Sequence, residues 1–306
     1  MRRSDPLVSI GLPVYNGENY LALAVESLLG QTYENIELII SDNASTDRTC
    51  EIARRFEMAD ARVRYVRKEQ NVGVLENFNG VFPMSAGKYF MWASHDDIWH
   101  RDFVTELVTA LESSPDIVLA FSGIQRIDAS GNHIGDPYQI NKIKTDLDPV
   151  KRAMACVKMG GGSVIHGLIR SEIMSKTSLL KSMGFPSDIA FVAELSLYGE
   201  FYFSPKALFN RRKHKKQTNK TQKDSYYTYR PKGSFFMDDR LERWIDSMPL
   251  SRLENEEFRR FFEREIRLRN KGGTVSQKFF KQKKKIIRSL KIKVKSVLQN
   301  YSVGNN

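Results

Sequence analysis

The chain has 306 residues, of which 41% are hydrophobic and 27% charged, the composition of an ordinary globular protein and not of a disordered or membrane-spanning one. Its 48 Lys and Arg against 36 Asp and Glu give a net charge of +12, which on its own would suggest a nucleic-acid partner. The position of the charge argues against that partner. Residues 271–306 carry ten cations and no acid, residues 205–232 carry ten cations and one acid (Asp224), and the rest of the sequence is left at −7. Cys50 and Cys156 are the only cysteines, too few for a disulfide framework or a cysteine-based zinc site, which fits a reducing compartment. The opening residues Met1 to Pro6 put no apolar stretch behind their charges, so no signal peptide is expected. No run approaches the ~18–20 apolar residues of a transmembrane helix. The expectation is a cytoplasmic protein.

Strand and helix patterns alternate over the first 125 residues. Residues 8–14 are apolar and rich in β-branched side chains, and they stop at the Asn16-Gly17 turn signal; residues 19–29 then place Leu21, Val25, Leu28 and Leu29 on one helical face. Residues 36–40 predict a second strand, 47–56 a second helix and 63–66 a third strand. A helix over 77–84 is shortened by Pro83. Residues 89–93 predict a fourth strand, 102–112 a helix and 117–121 a fifth strand. Units of this spacing require right-handed crossovers, and so a mostly parallel α/β sheet with helices on both faces. Beyond Gln125 the pattern loosens into a turn at 128–132 and an irregular polar stretch at 137–148. A helix over 151–158 is broken by Gly160-Gly161-Gly162, another over 190–197 ends near Gly199, and a short strand covers 201–203. Ser251 and Glu254 form a capping box that opens a helix through Arg269.

In such a sheet, ligands bind beyond the carboxyl ends of the strands. Those ends are Pro13-Val14-Tyr15-Asn16-Gly17-Glu18, Ser41-Asp42-Asn43-Ala44-Ser45-Thr46-Asp47, the segment Arg67 to Gly73 with Asn71, and Ser94-His95-Asp96-Asp97. Helix capping accounts for Asn19 and Asp47. It does not account for Asp42, Asp96 and Asp97, which precede any cap position and would repel one another if crowded on one rim. A divalent cation relieves that repulsion, because Mg²⁺ or Mn²⁺ takes one or two carboxylates and completes its shell with phosphate oxygens and water. No Gly-x-Gly-x-x-Gly turn and no P-loop follows the first strand, so phosphate would be held through a metal and side chains.

The four segments, in this order, resemble family 2 inverting glycosyltransferases of the GT-A fold, strongly over about residues 7–130 and more loosely over 160–220. The resemblance implies a nucleotide-diphospho-sugar transferase with a Rossmann-like sheet. A catalytic domain would cover 1–235, with a nucleotide-sugar-binding half at 1–125 and an acceptor-side half at 126–235. A C-terminal helical extension at 236–306 would follow. It also implies metal-dependent, inverting transfer of a hexosyl-like group from a nucleotide-diphosphate sugar, UDP or dTDP favoured, to a hydroxyl of a cell-surface glycan or lipid-linked acceptor. On the matching positions Pro13, Val14 and Tyr15 frame the base, Glu18 lies beside the nucleotide and Asp42 accepts a hydrogen bond from the base. Asn71 completes this donor-binding set. Asp96, with Asp97 nearby, belongs to the metal site for Mn²⁺ or Mg²⁺; the Asp often found two residues earlier is Ser94 here, with His95 between.

Asp188, from Ser187-Asp188 at the head of a helix, matches the general base that deprotonates the acceptor. The same carboxylate could cap that helix, whose N-terminus would keep it ionised. Glu194 is the weaker alternative, read as a solvated or packing-linked acid. Arg211 and Arg212 lead to His214, which would contact the metal or the diphosphate, with cations suited to an anionic ligand. Lys215, Lys216, Lys220 and Lys223 either join them or form a solvated run. Gly160 to Gly162 and His166-Gly167 fall on the acceptor side. No Gln-x-x-Arg-Trp motif follows, which argues against a processive polysaccharide synthase.

In the tail over 275–301, Ile286, Ile287, Leu290, Val294, Val297, Leu298 and Tyr301 share one helical face and lysines fill the others. A basic amphipathic helix suits an anionic membrane surface, at ~1 kcal/mol per cation near it. That predicts a peripheral position on the inner face of the plasma membrane; docking of the apolar stripe on the catalytic domain is the alternative. Two other functions are weighed. A sugar-phosphate nucleotidyltransferase expects a Gly-rich, Arg/Lys-bearing loop after the first strand, and residues 13–18 lack one. A non-catalytic polyanion-binding protein expects cations over the sheet domain, which is acidic.

Overall fold

A computed structural model describes residues 5–138, 148–159, 162–182, 185–214 and 239–270. The expected amphipathic tail, Gly160, Gly161, Lys215, Lys216, Lys220 and Lys223 lie outside the described residues. The first strands are β1 (Val8–Val14), β2 (Ile36–Asp42), β3 (Val63–Arg67) and β4 (Tyr89–Trp92), linked through helices α1 (Leu21–Leu29), α2 (Thr49–Ala59) and α3 (Val74–Val81). Every residue of β1 and of β4 is buried, as required of strands covered on both faces. β5 (Ile98–Trp99), α4 (Phe103–Ser113) and β6 (Ile117–Ile127) follow. Next come α5 (Pro149–Met159), a 3₁₀ turn over Gly162–His166, β7 (Leu168–Arg170), α6 (Ser171–Met174), α7 (Ser187–Leu195) and β8 (Glu200–Arg212). The last described elements are α8 (Asp239–Asp246) and α9 (Arg252–Asn270).

The eight strands form one sheet in the order β3-β2-β1-β4-β7-β6-β8-β5. β3, β2, β1 and β4 are parallel neighbours, β6 and β8 pair in parallel, and only β7 and β5 run antiparallel to theirs. The expected mostly parallel α/β sheet with flanking helices is therefore present. The differences from the sequence reading lie chiefly in its second half. β6 continues past Phe121 to Ile127, and β8 runs on from Phe203 to Arg212. The two stay paired from Ile117↔Glu200 to Ile127↔Arg212, with register shifts between Ile117 and Leu119 and between Ser122 and Ile124. Irregularities of that kind, at Ser122-Gly123 and Ser204-Pro205, break the apolar pattern without ending the strands.

Helix starts also shift. α1 is not capped by Asn19: it begins at Leu21, and the N–H groups of Tyr20 and Leu21 both donate to the Gly17 carbonyl. Asp47 stands two residues ahead of α2, where its Oδ1 accepts the Thr49 N–H at 3.0 Å. α3 starts at Val74, and Pro83 turns its expected end into a 3₁₀ turn over Phe82–Met84. The capping box forms: the Ser251 N–H donates to Glu254 Oε2 at 2.8 Å, and the Glu254 N–H reaches Ser251 Oγ at 3.4 Å. α8 was not anticipated, and its Leu241, Trp244 and Ile245 are buried in the same core cluster as the sheet.

Gly167 marks the tightest backbone approach, since a Cβ there would stand 2.3 Å from the Ala120 carbonyl oxygen of β6. Gly167→Ala should destabilise the protein by about 1–3 kcal/mol, seen as a lower urea midpoint with an unchanged m-value. An unchanged midpoint would contradict this packing.

Candidate active site

The loops after β1 and β2 are bound to each other. Asn16, at φ 53°, accepts the Thr46 N–H on its Oδ1 at 2.8 Å and donates its own N–H to Ser45 Oγ at 2.9 Å. The Gly17 N–H bonds Thr49 Oγ1 at 2.8 Å and the Glu18 N–H bonds Asp47 Oδ2 at 3.1 Å. Pro13 and Val14 are buried under this junction, Tyr15 is half-buried, and Glu18 is exposed at the rim. Asn71 is drawn to the second loop, where its Oδ1 accepts from Asn43 Nδ2 at 2.9 Å, while Asn43 Oδ1 accepts the Val72 N–H at 2.9 Å.

Asp42 ends β2 with 0% exposure. Its Oδ1 accepts the Ser45 N–H at 2.8 Å; its Oδ2 accepts the Tyr65 hydroxyl at 2.7 Å and Arg67 Nη1 at 2.9 Å. Arg67 Nη2 also donates to the Ser45 carbonyl at 2.9 Å. Of the roughly four acceptor positions of a carboxylate, three are thus filled. Burial, reinforced by hydrogen bonding with Cys50 and Asp42, pushes the Tyr65 phenol well above its ordinary value. Tyr65 and Arg67 were missed from sequence. The available signal was their shared face of β3 at period two and the register that sets Arg67 beside Asp42.

The acids after β4 part company. Asp96 Oδ2 lies 2.9 Å from His214 Nε2, with side-chain exposures of 15% and 9%. Asp97 is buried, and its Oδ1 accepts the Arg212 N–H at 2.8 Å. Burial would raise Asp96, but the hydrogen bond from His214 and the charges of His95 and His214 outweigh it and hold the carboxyl low. Burial, together with the negative charge of Asp96, pushes Asp97 well up. One acid is set up as an anion facing the site, and its neighbour fastens the loop to β8.

Arg212 and Arg211 point opposite ways, as neighbours on a strand must. The buried Arg212 donates Nε to the Asp96 carbonyl at 2.9 Å and Nη1 to the Asp128 and Ala129 carbonyls at 3.1 Å each. Its guanidinium lies 4.6 Å over the Tyr20 ring, whose centroid is 4.8 Å from that of His214. This side chain faces protein carbonyls, while the exposed Arg211 reaches Ser163 Oγ at 2.7 Å.

Behind Asp96, His166 Nδ1 is 2.9 Å from the Trp92 carbonyl and Nε2 is 3.5 Å from Ser94 Oγ. A carbonyl only accepts, so Nδ1 carries the proton and Nε2 turns a lone pair to Ser94. Asp188 opens α7 half-buried and accepts the N–H of Ile189 at 2.9 Å. Phe191 of α7 packs edge-on to Trp92 at 5.2 Å, which sets the helix against the end of β4. Glu194 is a packing-linked acid, buried with bonds to Ser178 and Trp244.

Among the described residues no group of three or more His, Cys, Asp or Glu is placed to hold a metal ion. Asp96 and His214 nonetheless fit a hard divalent cation, because such an ion needs only one or two protein ligands when a diphosphate and water supply the rest.

Residues 9–164 match the family model described as Glycosyl transferase family 2, and the chain belongs to that family. It is 30% identical over 243 residues to a glycosyltransferase of Rickettsia prowazekii, spanning 76% of this chain and 72% of that one. It is 29% identical over 220 residues to one of Haemophilus influenzae, spanning 70% and 68%. Among solved structures, S. aureus TarS 1–349 in complex with UDP-GlcNAc aligns with a TM-score of 0.65 at 16% identity, over 87% of this chain and 74% of that one. The mannosyltransferase from Pyrobaculum calidifontis in complex with GDP-Man and Mn²⁺ aligns with a TM-score of 0.52 at 16% identity, over 70% and 59%.

Burial lowers the His166 pKa from 6.5 to about 4. The unfolded chain therefore takes up this proton first. The stability that depends on a neutral His166 is complete above about pH 6.5 and is lost as pH falls toward 4, at up to ~1.4 kcal/mol per pH unit. Urea unfolding between pH 7 and 4.5 should show a steeper loss for the wild type than for His166→Gln; parallel losses would contradict it.

Proposed function

We propose that this family 2 enzyme is a metal-dependent, inverting glycosyltransferase. It moves a hexosyl group from a UDP- or dTDP-sugar to a hydroxyl of a cell-envelope glycan or lipid-linked acceptor. The observation that carries the reading is the Asp96–His214 contact on the rim where β1, β2 and β4 end. The fold neighbours solved in complex with UDP-GlcNAc and with GDP-Man and Mn²⁺ support it.

In this reading Asp42 accepts the N3–H of a uracil or thymine once Arg67, whose side chain is 40% exposed, moves off its Oδ2. Pro13, Val14 and Tyr15 line the base, Glu18 and Asn71 border the nucleotide, and the exposed Arg211 faces the diphosphate. A Mn²⁺ or Mg²⁺ held by Asp96 and His214 would neutralise charge on the departing diphosphate. Asp97 and Arg212 keep the loop bearing Asp96 in place. Asp188 takes the proton of the acceptor hydroxyl as its oxygen attacks the anomeric carbon on the face opposite the diphosphate, and this inverts the centre. Residues 1–125 form the donor half, 126–235 the acceptor side and 236–306 the extension. No helix among the described residues is long and apolar enough to cross a membrane; the lysine-rich tail is assigned to the cytoplasmic face of an anionic membrane.

UDP-, dTDP- and GDP-sugars, each offered with and without Mn²⁺, should be distinguished by nucleoside-diphosphate release, with a uridine or thymidine donor turned over in Mn²⁺. Asp188→Asn should lower turnover ~10²–10⁴-fold with donor affinity retained; wild-type turnover in that variant would remove Asp188 as the base.

Replacing Lys281, Lys283, Lys284 and Lys285 together with Gln in the full chain should sharply reduce co-sedimentation with phosphatidylglycerol-containing vesicles. Equal sedimentation would rule out the membrane role of the tail.

A further inference from the structure

Glu194 lies in the last turn of α7, 3% exposed. A carboxylate so enclosed is costly unless it is bonded, and three donors converge on it. The Ser178 N–H reaches Oε1 at 2.8 Å; the Ser178 hydroxyl at 2.5 Å and the Trp244 indole N–H at 3.0 Å reach Oε2. Ser178 belongs to the loop between α6 and α7, and Trp244 to α8. One acid therefore joins three parts of the chain that are distant in sequence.

The segment around Ser178 is itself fixed to the donor half. Asn79 of α3 donates Nδ2 to the Leu180 carbonyl at 2.8 Å and accepts the Leu180 N–H on Oδ1 at 3.1 Å, a two-point clamp. Between the two anchors Leu179 adopts φ 55°. A bulky residue in the left-handed region persists only where its surroundings over-determine it. The C-terminal helices also reach the other end of α7: Phe262 of α9 meets Phe185, three positions before Asp188, at 4.8 Å in an edge contact, and Trp244 packs on Phe262 at 5.6 Å.

We propose that the α8–α9 pair is a working part of the transfer site, which fixes α7 through Trp244 and Glu194 and so sets the position of Asp188. Glu194 is then a positioning residue and not a second acid or base. The proposal rests on the reading of Asp188 as the base. A displacement of the helix head by ~1 Å is enough to cost ~10²-fold in rate, because proton transfer depends on geometry. The hydrogen bonds of Glu194 go to Ser178 and Trp244 and not to β1, β2 or β4, which carry the residues assigned to the donor.

The test uses the full chain with Glu194→Gln, Trp244→Phe and Ser178→Ala. The readouts are kcat and donor KM for nucleoside-diphosphate release, and amide hydrogen exchange. Glu194→Gln keeps the shape but sets an amide against three donors; it should lower kcat ~10-fold or more with KM within about twofold, and speed exchange at residues 189–193 while β1 and β2 stay protected. Trp244→Phe should act in the same direction. Ser178→Ala, which keeps the backbone N–H bond, should show a smaller effect of the same kind. Wild-type kcat and exchange in Glu194→Gln and Trp244→Phe would overturn the proposal, as would a fall in donor affinity, global protection and kcat together. If Asp188→Asn keeps full turnover, the base reading fails separately, and α7 exchange alone then decides whether Glu194 and Trp244 fix the helix.

Discussion

Everything at the candidate site depends on how two adjacent carboxylates at the end of one strand avoid each other. Asp96 and Asp97 cannot both face the open rim as anions at little cost. Asp96 is turned to His214 at 2.9 Å, while Asp97 is turned inward to the Arg212 N–H at 2.8 Å. That division requires the end of β8 to arrive beside the end of β4. β8 reaches so far because it pairs with β6 as far as Ile127↔Arg212. The long second-half strands are thus what brings His214 to the acid of the first half.

The arginine between them carries much of this arrangement. Arg212 is 1% exposed, and its charge meets three carbonyls and the Tyr20 ring. Arginine suits this task because its planar fork makes several directed bonds and stacks on aromatic faces. The excess of positive charge between residues 205 and 232 is therefore not one uniform surface. Arg212 is a structural cation, whereas Arg211, one residue away, is exposed. The net charge of +12 is likewise the sum of an acidic body and two basic segments.

The first half of the fold was legible because burial on both faces leaves strands such as Val8–Val14 and Tyr89–Trp92 as mostly apolar runs. β5 and β7, of two and three residues, are too short to show any period. Polar residues and bulges hid the true lengths of β6 and β8. At the site, their place after the strand ends singled out Asp42 and Asp96, the resemblance to the family singled out His214, and the structure brings Asp96 and His214 together. The partners of Asp42 were not legible, since only the β2–β3 register places Arg67 and Tyr65 there. The sequence reading ended this strand at residue 203 and so did not separate Arg211 from Arg212; they diverge because β8 runs on to Arg212, whose burial depends on Asp128 and Ala129. The tautomer of His166 and the three donors on Glu194 are tertiary facts with no local signal.

The central claim is that Asp96 and His214 hold a divalent cation for a uridine diphosphate seated at Asp42. Calorimetric titration of UDP into the full chain, with and without Mn²⁺, tests it directly. Mn²⁺ should tighten UDP binding at least ~10-fold, about 1.4 kcal/mol. His214→Ala should abolish that gain, and Asp42→Asn should weaken UDP whether or not Mn²⁺ is present. UDP affinity that ignores Mn²⁺ and both substitutions would contradict the claim.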